Sequence, residues 1–463
     1  MVRTTSRRLP VAVGLTGLVL WLSASPVAAH GVGGRVDLPL PAWQLAWAAG
    51  FAVASSFVVL GMFWSEPRLA RAAVGRPMPP VAQIVGRALL PLTRIVGLGA
   101  FGVLLYATWR GNVNSASNIA PIAIYVAFWV GLQIVSALIG DVWRGFNPFL
   151  TLADCGAWVR ARITDTPISS VNHGAGSQWW AVAAITSFLW LELCYHSSAA
   201  PRSIGIWLTL YTIAMVAGAA WFGRGWVRDA DGFGVLFTML GAMAPLYRDD
   251  EDRWRFRAPL AGLAAMPVGS GTVAFVLVVL GSTSFDGFSR SSMWRDIISN
   301  RSGWELTFVS TVGMVFVIGL VALIYRGAIK AMSIVTGDGE RDLADTFGSS
   351  LLPIALAYAV AHYFSLLMFE GQQLFIHISD PFGRGWDLFG TVDYQVDFTW
   401  ISTDTIAWTQ TVAIAVGHVL GITVAHDRAV ERYEPAAAVR SQYPMLVAMV
   451  FYTVAGLLLL LGV

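Results

Sequence analysis

The feature that most constrains this chain is a series of long apolar stretches that recurs from end to end. A helix needs about 20 apolar residues to cross the hydrocarbon of a bilayer, and ten stretches of about that length follow an apolar segment near the start. Of the 463 residues, 56% are hydrophobic and 13% are charged, whereas charged residues make up about a quarter of an ordinary soluble domain. The sequence therefore predicts an all-α integral membrane protein with about ten transmembrane helices in one polytopic domain. The predicted spans are Ala42 to Trp64, Leu89 to Trp109, Asn118 to Gly140, Trp179 to Tyr195, Ile204 to Phe222, Pro259 to Gly281, Leu306 to Tyr325, Thr346 to Phe369, Thr405 to Ala425 and Pro444 to Val463.

The first 29 residues have the layout of a cleavable secretory signal peptide. A basic start is followed by an apolar stretch from Val11 to Leu22 and by small residues that end at Ala29, which is the order that a signal peptidase requires. Cleavage there would leave residues 30–463 as the mature protein, with His30 first and on the outer side of the membrane. An uncleaved signal anchor is the alternative.

The distribution of arginines predicts the orientation of the spans. With the mature N-terminus outside, most arginines fall in the cytoplasmic connections, as the positive-inside rule requires. If the short apolar segment Phe233 to Leu246 also crossed, this bias would disappear, so residues 226–257 are predicted to be a cytoplasmic interfacial segment. We expect the chain to lie in an inner (plasma) membrane, with the lipid bilayer as its partner. A formal net charge of +2 argues against nucleic-acid binding.

Ionisable residues within the spans are the first candidates for function, because such residues are costly in a membrane. His362, His418 and Glu192 lie within predicted spans, and Gln410 is at the depth of His362 on the neighbouring helix. His418 and His426 are eight residues apart, which places them on different helix faces and about 12 Å apart along the axis. A haem held by His362 and His418 would need a compensating helix shift, and a buried His418 bonded to a polar neighbour is the simpler interpretation.

The connection from Glu370 to Asp404 is predicted to be an outer lid. Connections of this length are usually functional or disordered, and its aromatic residues and glycines argue for a folded loop. Its acidic excess should attract cations, although aspartates that cap turns would give the same composition. The acidic residues are Glu370, Asp380, Asp387, Asp393, Asp397 and Asp404, against the single Arg384.

Imidazoles and carboxylates thus converge on the predicted outer side, where they could hold a divalent metal such as zinc or copper and activate water. The predicted metal ligands are His362, His377, Asp380, His30 and His418, and the predicted catalytic groups are His362, Glu370, Asp286 and Gln410. A mature N-terminal histidine has a further option, because its amino group and ring nitrogen can bind copper together.

Several motifs together resemble a bacterial family of polytopic membrane proteins labelled fenitrothion hydrolase. The motifs are AHGVGGRVDLPLP, GDVWRGFNP, STSFDGF, AHYFSLLMFEGQ, SDPFGRGWDLFGT and GHVLGITVAHDRA. The resemblance implies an integral membrane protein that hydrolyses an organophosphate triester, and it implies no particular catalytic residues.

The sequence therefore predicts a metal-dependent hydrolase that acts on an apolar ester or phosphoester. The first alternative is a transporter of a metal ion or small solute, in which His362, Gln410 and His418 mark a descending path. A non-catalytic membrane scaffold is the second alternative. A polar path that continues past His418 to His426 would favour transport over hydrolysis, which needs only a closed pocket.

Overall fold

A computed structural model describes residues 39–164, 177–249 and 251–461. The predicted signal peptide and His30 lie outside these residues. The described chain is predominantly helical, which confirms the predicted fold class. Its helices are α1 Ala42–Phe63, α2 Arg68–Ala72, α3 Pro80–Arg110, α4 Ile119–Leu138, α5 Trp143–Phe146, α6 Pro148–Thr164, α7 Trp179–Leu193, α8 Pro201–Phe222, α9 Gly225–Ala230, α10 Gly232–Gly241, α11 Ala261–Ala265, α12 Ser270–Ser289, α13 Ser292–Ile298, α14 Gly303–Thr336, α15 Glu340–Phe347, α16 Leu352–Phe369, α17 Gln373–Ser379, α18 Thr403–Arg432, α19 Pro435–Ser441 and α20 Tyr443–Leu461.

Nine of the described helical segments are long and apolar enough to cross a bilayer. They include α1, α3, α4, α8, α12, α14, α16, α18 and α20. The remaining predicted span, Trp179 to Tyr195, corresponds to α7, which has only 15 residues and is shorter than expected. At 1.5 Å per residue it is about 22 Å long.

The two ends of the helix bundle differ, and we name them by their most distinctive features. The lid end carries the loop of residues 380–402, which contacts the α3–α4 connection where Asn112 N–H donates to the carbonyl of Phe382. The sheet end carries three short antiparallel strands, β1 Arg76–Pro77, β2 Leu246–Arg248 and β3 Trp254–Phe256, in the order β1-β3-β2. The register pairs Arg76 with Phe256 and Tyr247 with Arg255. Counted along the chain, the connections after the first and fifth predicted spans thus lie at the sheet end. Those after the second and eighth predicted spans lie at the lid end.

Contacts at both ends of α7 show that it joins the two ends of the bundle. At the sheet end, the carbonyl oxygen of the Gln178 side chain accepts a hydrogen bond from Thr272, at the start of α12. At the lid end, His196 N–H donates to the hydroxyl of Thr307 in α14. We therefore count α7 as a short crossing helix, which preserves the alternation of the predicted topology.

The helix α12 lies at the centre of the bundle and α3 at its edge. In the most apolar window of each helix, 72% of the α12 residues but only 6% of the α3 residues are buried. The helices α16, α18 and α20 approach closely at glycines. A Cβ at Gly417 would lie 2.1 Å from the Cβ of Ala357, and one at Gly456 would lie 1.1 Å from the hydroxyl oxygen of Tyr358. These contacts fix how far along the bundle axis the polar residues of the three helices lie relative to one another.

The two segments that are not predicted to span have structure of their own. Within residues 226–257, α10 has ten residues, too few to cross, and its Phe233 and Phe237 are buried in the bundle. The predicted lid begins with a 3-10 turn from Glu370 to Gln372, and α17 follows it. The rest of the lid is a loop that returns to α18.

Candidate functional site

A buried histidine–carboxylate pair links α12 to α16 near the lid end. His362 Nε2 lies 2.7 Å from Asp286 Oδ2, and the side chains are 3% and 12% exposed. His362 is seven residues from the end of α16, about 10 Å into the bundle at 1.5 Å per residue. Arg290, one helical turn after Asp286, lies 3.8 Å from its other oxygen with a 56% exposed side chain. The pair is therefore buried, and the partly exposed Arg290 lies between Asp286 and the lid end.

A second carboxylate joins this pair. The Tyr363 hydroxyl donates to Glu192 Oε1 at 3.4 Å and also interacts with Asp286, so it lies between the two carboxylates. The other oxygen of Glu192 is buried and has no hydrogen-bond partner among the described residues. We call His362, Asp286, Glu192 and Tyr363 the His362 cluster. It joins α7, α12 and α16.

Aromatic rings from a π-helical segment border the His362 cluster. Residues Ala123–Gly131 of α4 form a π-helix, which is rare at this length and frequent at functional sites. Tyr125 interacts electrostatically with Glu192, and Trp129 lies beside Tyr363. The Trp129 side chain is buried, and its indole N–H has no acceptor within hydrogen-bond geometry in the described chain. The cluster thus combines two carboxylates, one imidazole and aromatic faces.

The charges of the His362 cluster favour binding of a proton or cation. In a low-dielectric interior, two neighbouring carboxylates do not both remain ionised without positive charge beside them. Arg290 supplies part of such a charge from the edge of the cluster, and His362 contributes a hydrogen bond to Asp286. Glu192 is left with an unsatisfied oxygen, so a proton or a bound cation would complete the balance. The aromatic rings nearby add favourable cation–π contacts for an organic cation.

The lid residues predicted to join His362 make their contacts elsewhere. Glu370 accepts a hydrogen bond from Gln373 in the next helical turn. Asp380 accepts from the backbone N–H groups of Arg384 and Gly385 at 2.9 and 2.7 Å, so it shapes a turn. Burial raises the pKa of the Asp380 carboxyl, but these backbone donors outweigh it and hold the pKa below its usual value. His377 is buried at the end of α17 and interacts with Asp380.

The remaining predicted site residues also occupy separate positions. Gln410 donates to the carbonyl of Ala361 at 2.9 Å, so it meets α16 at the expected depth through the backbone beside His362. His418 is fully buried and bonds through Nδ1 to the carbonyl of Ile414 at 2.9 Å. Across residues 39–164, 177–249 and 251–461, no three His, Cys, Asp or Glu side chains are grouped in a way that could hold a metal. Among the predicted zinc or copper ligands in the described residues, His377 interacts with Asp380, but no third ligand joins them.

The sequence analysis missed Tyr363, which belongs to the cluster, and Arg290, which lies at its edge. Arg290 was detectable in principle, because it stands four residues after Asp286 and such pairs share a helix face. Tyr363 follows His362 directly, but nothing in the sequence indicates that it points towards Glu192. The aromatic border also depends on the π-helix, which shifts residue directions away from those of an α-helix.

A buried carboxylate of different character lies towards the sheet end. Asp231 accepts hydrogen bonds from the Tyr211 hydroxyl at 2.6 Å, from Asn147 Nδ2 at 2.8 Å and from Trp143 Nε1 at 3.1 Å. It also accepts from the backbone N–H of Phe233, at the start of α10. Burial raises the pKa of Asp231, and the donated hydrogen bonds oppose that rise. Both of its oxygens are satisfied, so Asp231 fastens α5, α8 and α10 together.

Asp427 plays a similar part between α18 and the α1–α2 connection. Its Oδ1 accepts from Trp64 Nε1 and Leu69 N–H, and its Oδ2 accepts from Ala70 N–H, all between 2.9 and 3.0 Å. It thus caps the first turn of α2 from another helix. His426 beside it bonds to the carbonyl of Trp64 and to Gln442.

Part of the chain is similar to a known protein. It is 35% identical over 133 residues to the probable multidrug resistance protein NorM of Deinococcus radiodurans, and this covers 27% of the chain and 28% of that protein. The chain thus matches well under two thirds of that relative's length. No family model matches the chain, and no solved structure matches it.

Proposed function

We propose that this protein transports a small cationic solute across the bilayer, in exchange for protons that bind at the His362 cluster. The observation that carries the proposal is the pair of buried carboxylates beside His362, about 10 Å inside a bundle of membrane-crossing helices. Buried ionisable residues in such bundles mark ion paths and proton relays more often than structural contacts. Exchange is favoured because a proton and a cation would compete for the same negative charge.

The partial similarity to a probable multidrug resistance protein supports transport over the other candidates. An integral membrane protein confers resistance most simply by moving drugs away from their targets. Many such compounds are apolar cations, and the acidic and aromatic composition of the His362 cluster suits them. The similarity covers a limited part of both chains, so it supports the class of activity and identifies no substrate.

The path below the cluster is closed in this structure. Between His418 and His426, α18 buries Ile422, Val424 and Ala425, which pack against apolar neighbours. The polar path that would have favoured transport therefore stops at His418. Transport requires a second conformation in which the sheet end opens, as in any mechanism of alternating access.

The test is transport by the full chain reconstituted in liposomes with an acidic lumen. Ethidium, rhodamine 6G and Co²⁺ are the solutes to be measured, by fluorescence or quenching. We expect pH-gradient-dependent accumulation of at least one of them, and a reduction of at least tenfold in His362→Gln. The matched control is His196→Gln, since His196 is an exposed histidine at the same end. If none of the solutes moves, or both variants behave alike, the proposal fails.

Hydrolysis remains the second candidate, and the Asp286–His362 hydrogen bond is the observation that favours it. A carboxylate that orients an imidazole is the arrangement that activates water or a hydroxyl in many hydrolases. Hydrolysis of an apolar triester by the purified protein, lost in Asp286→Asn and unaffected by a pH gradient, would favour this candidate over transport.

A further inference from the structure

Three charged side chains meet at the edge of the bundle near the sheet end. Asp154 of α6 pairs through Oδ2 with Nη1 of Arg94 in α3 at 3.1 Å, and through Oδ1 with Nε of Arg224 at 2.9 Å. Arg224 lies in the connection between α8 and α9, two residues after the end of α8. We call Arg94, Asp154 and Arg224 the Asp154 cluster. One carboxylate thus holds two guanidinium groups from different parts of the chain close together.

The packing of the neighbouring helices holds the Asp154 cluster in place. Phe149, near the start of α6, lies between Phe101 of α3 and Tyr211 of α8, with ring centroids 5.7 and 5.3 Å away. A Cβ at Gly97 of α3 would lie 1.9 Å from the carbonyl oxygen of Phe146, at the end of α5. The helices that carry the cluster are therefore in close contact. The two guanidinium groups are positioned by this packing as well as by the carboxylate, so little ordering is needed for them to bind a common ligand.

The Asp154 cluster has an excess of positive charge. It contains two arginines and one carboxylate, and no second carboxylate pairs with either arginine within residues 39–164, 177–249 and 251–461. The side chains of Arg94, Asp154 and Arg224 are 29%, 32% and 53% exposed, so a group from outside the bundle can reach them. Each guanidinium has five N–H donors, and the single carboxylate cannot engage all of them. The cluster therefore presents donors and a net charge of one sign to its surroundings.

The surface around the Asp154 cluster is apolar and carries exposed tryptophans. On α3, Leu92 and Ile95 lie within two residues of the cluster arginine and are 55% and 69% exposed. Trp158, one turn after the aspartate on α6, and Trp221, near the end of α8, are 55% and 80% exposed. Tryptophan is enriched where the hydrocarbon of a bilayer meets its headgroups. The cluster therefore lies beside lipid, at the level of the headgroups.

From this charge, packing and position we infer that the Asp154 cluster binds the phosphate group of an anionic phospholipid. A partly buried charge beside hydrocarbon is costly unless it is paired, and a phosphate would neutralise the excess. Arginine suits this group, because its planar fork of N–H donors matches the phosphate oxygens. Basic pockets between membrane-crossing helices bind such headgroups in other proteins. A zwitterionic lipid fits less well, because its own ammonium group leaves the excess charge in place.

This lipid site is independent of the transport proposal. The Asp154 cluster lies near the sheet end and the His362 cluster near the lid end, and they share no residue. An enzyme or a scaffold with this structure would bind the same lipid. Loss of the lipid preference and loss of transport are therefore separate results.

Native mass spectrometry of the full chain in detergent tests the inference. The protein is mixed with equal amounts of phosphatidylglycerol and phosphatidylcholine that have the same acyl chains, and the lipid-bound forms are compared. We expect phosphatidylglycerol to be retained about fivefold more often, which is the usual effect of one arginine at an anionic membrane surface. Equal retention of the two lipids overturns the inference. Release of phosphatidylglycerol by soluble glycerol phosphate also overturns it, because the site would then accept free phosphate esters.

Two variants make the test specific to the cluster. Arg224→Gln leaves a neutral pair of Arg94 and Asp154, so the protein should fold and the preference for phosphatidylglycerol should disappear. Arg228→Gln is the matched control, because Arg228 is an exposed arginine of α9 at the same end and should leave the preference unchanged. Equal losses in the two variants would show a diffuse attraction by the whole surface and overturn the inference. A folded Arg224→Gln protein that retains the preference would overturn it as well.

Discussion

The buried carboxylates at the two ends of the bundle differ in how completely they are satisfied. Asp231 and Asp427 use both oxygens to accept hydrogen bonds from neutral donors. Asp286 is paired with a histidine and an arginine, and Glu192 beside it has an oxygen with no partner among the described residues. Satisfied carboxylates hold helices together, whereas an incompletely satisfied pair retains affinity for a proton or a cation. Burial alone therefore does not identify a functional acid.

The largest expected effect of this difference is on stability at Asp231. Asp231→Ala should lower the free energy of unfolding by about 3 to 5 kcal/mol, because several buried donors lose their acceptor at about 1 to 3 kcal/mol each. Asp229→Ala, on the neighbouring α9, is the control and should change it by less than about 0.5 kcal/mol. Unfolding in detergent with increasing denaturant measures both. Equal effects would show that Asp231 is not a structural fastening.

Glu192→Gln should reduce transport strongly and change stability little, the opposite of Asp231→Ala. We expect solute transport to fall at least tenfold while the unfolding temperature stays within a few degrees, because the amide keeps the contact with Tyr363 but not the negative charge. Glu305→Gln is the control, since Glu305 is an exposed acid of α14 at the lid end. Transport is measured per folded protein in liposomes. A folded Glu192→Gln protein with normal transport would remove Glu192 from the site.

Asp427→Asn should cost about 1 kcal/mol of stability, the usual value of a helix cap. The amide can still accept at one atom, so the first turn of α2 loses one of its two backbone contacts with this side chain. Amide hydrogen exchange of residues 68–72 should accelerate, and transport per folded protein should remain unchanged. Reduced transport without faster exchange would assign Asp427 to the transport path.

The smallest expected effect concerns the lid. Because the pKa of Asp380 is lowered in the folded protein, its stabilisation is present above the unfolded value of about 3.9 and is lost as pH falls through the folded value. Asp380→Asn should therefore speed amide exchange in residues 382–391 a few-fold at pH 7. Near pH 2, after correction for intrinsic exchange rates, variant and parent should converge. A difference that persists there would rule out the carboxylate as its cause.

The sequence predicted the helices well because membrane spans are encoded locally. Apolar length alone locates nine described spans of at least 18 residues, and α7 falls below that length with 15. The site was predicted in part. Asp286, Glu192 and His362 were recognised as ionisable groups at one end of the bundle, and the structure brings them together. The lid residues were grouped with them because they share the same end, but sharing an end does not bring side chains within contact.

What the sequence could not give is the direction of each side chain. GDVWRGFNP illustrates the difficulty, because its Trp143 and Asn147 bind Asp231, which lies far away in the sequence. Whether a buried acid is satisfied depends on such distant partners. Helix register decides this as well, and here it is set by close glycine contacts such as Gly417 against Ala357.

The most direct measurement compares Asp286→Asn with Asp427→Asn in the same liposome transport assay, with the folded fraction of each determined in parallel. The account predicts that Asp286→Asn remains folded and loses pH-gradient-driven transport at least tenfold. It predicts that Asp427→Asn is less stable and transports normally per folded molecule. If Asp286→Asn transports normally while folded, the incompletely satisfied cluster is not the site of function, and the central claim is contradicted.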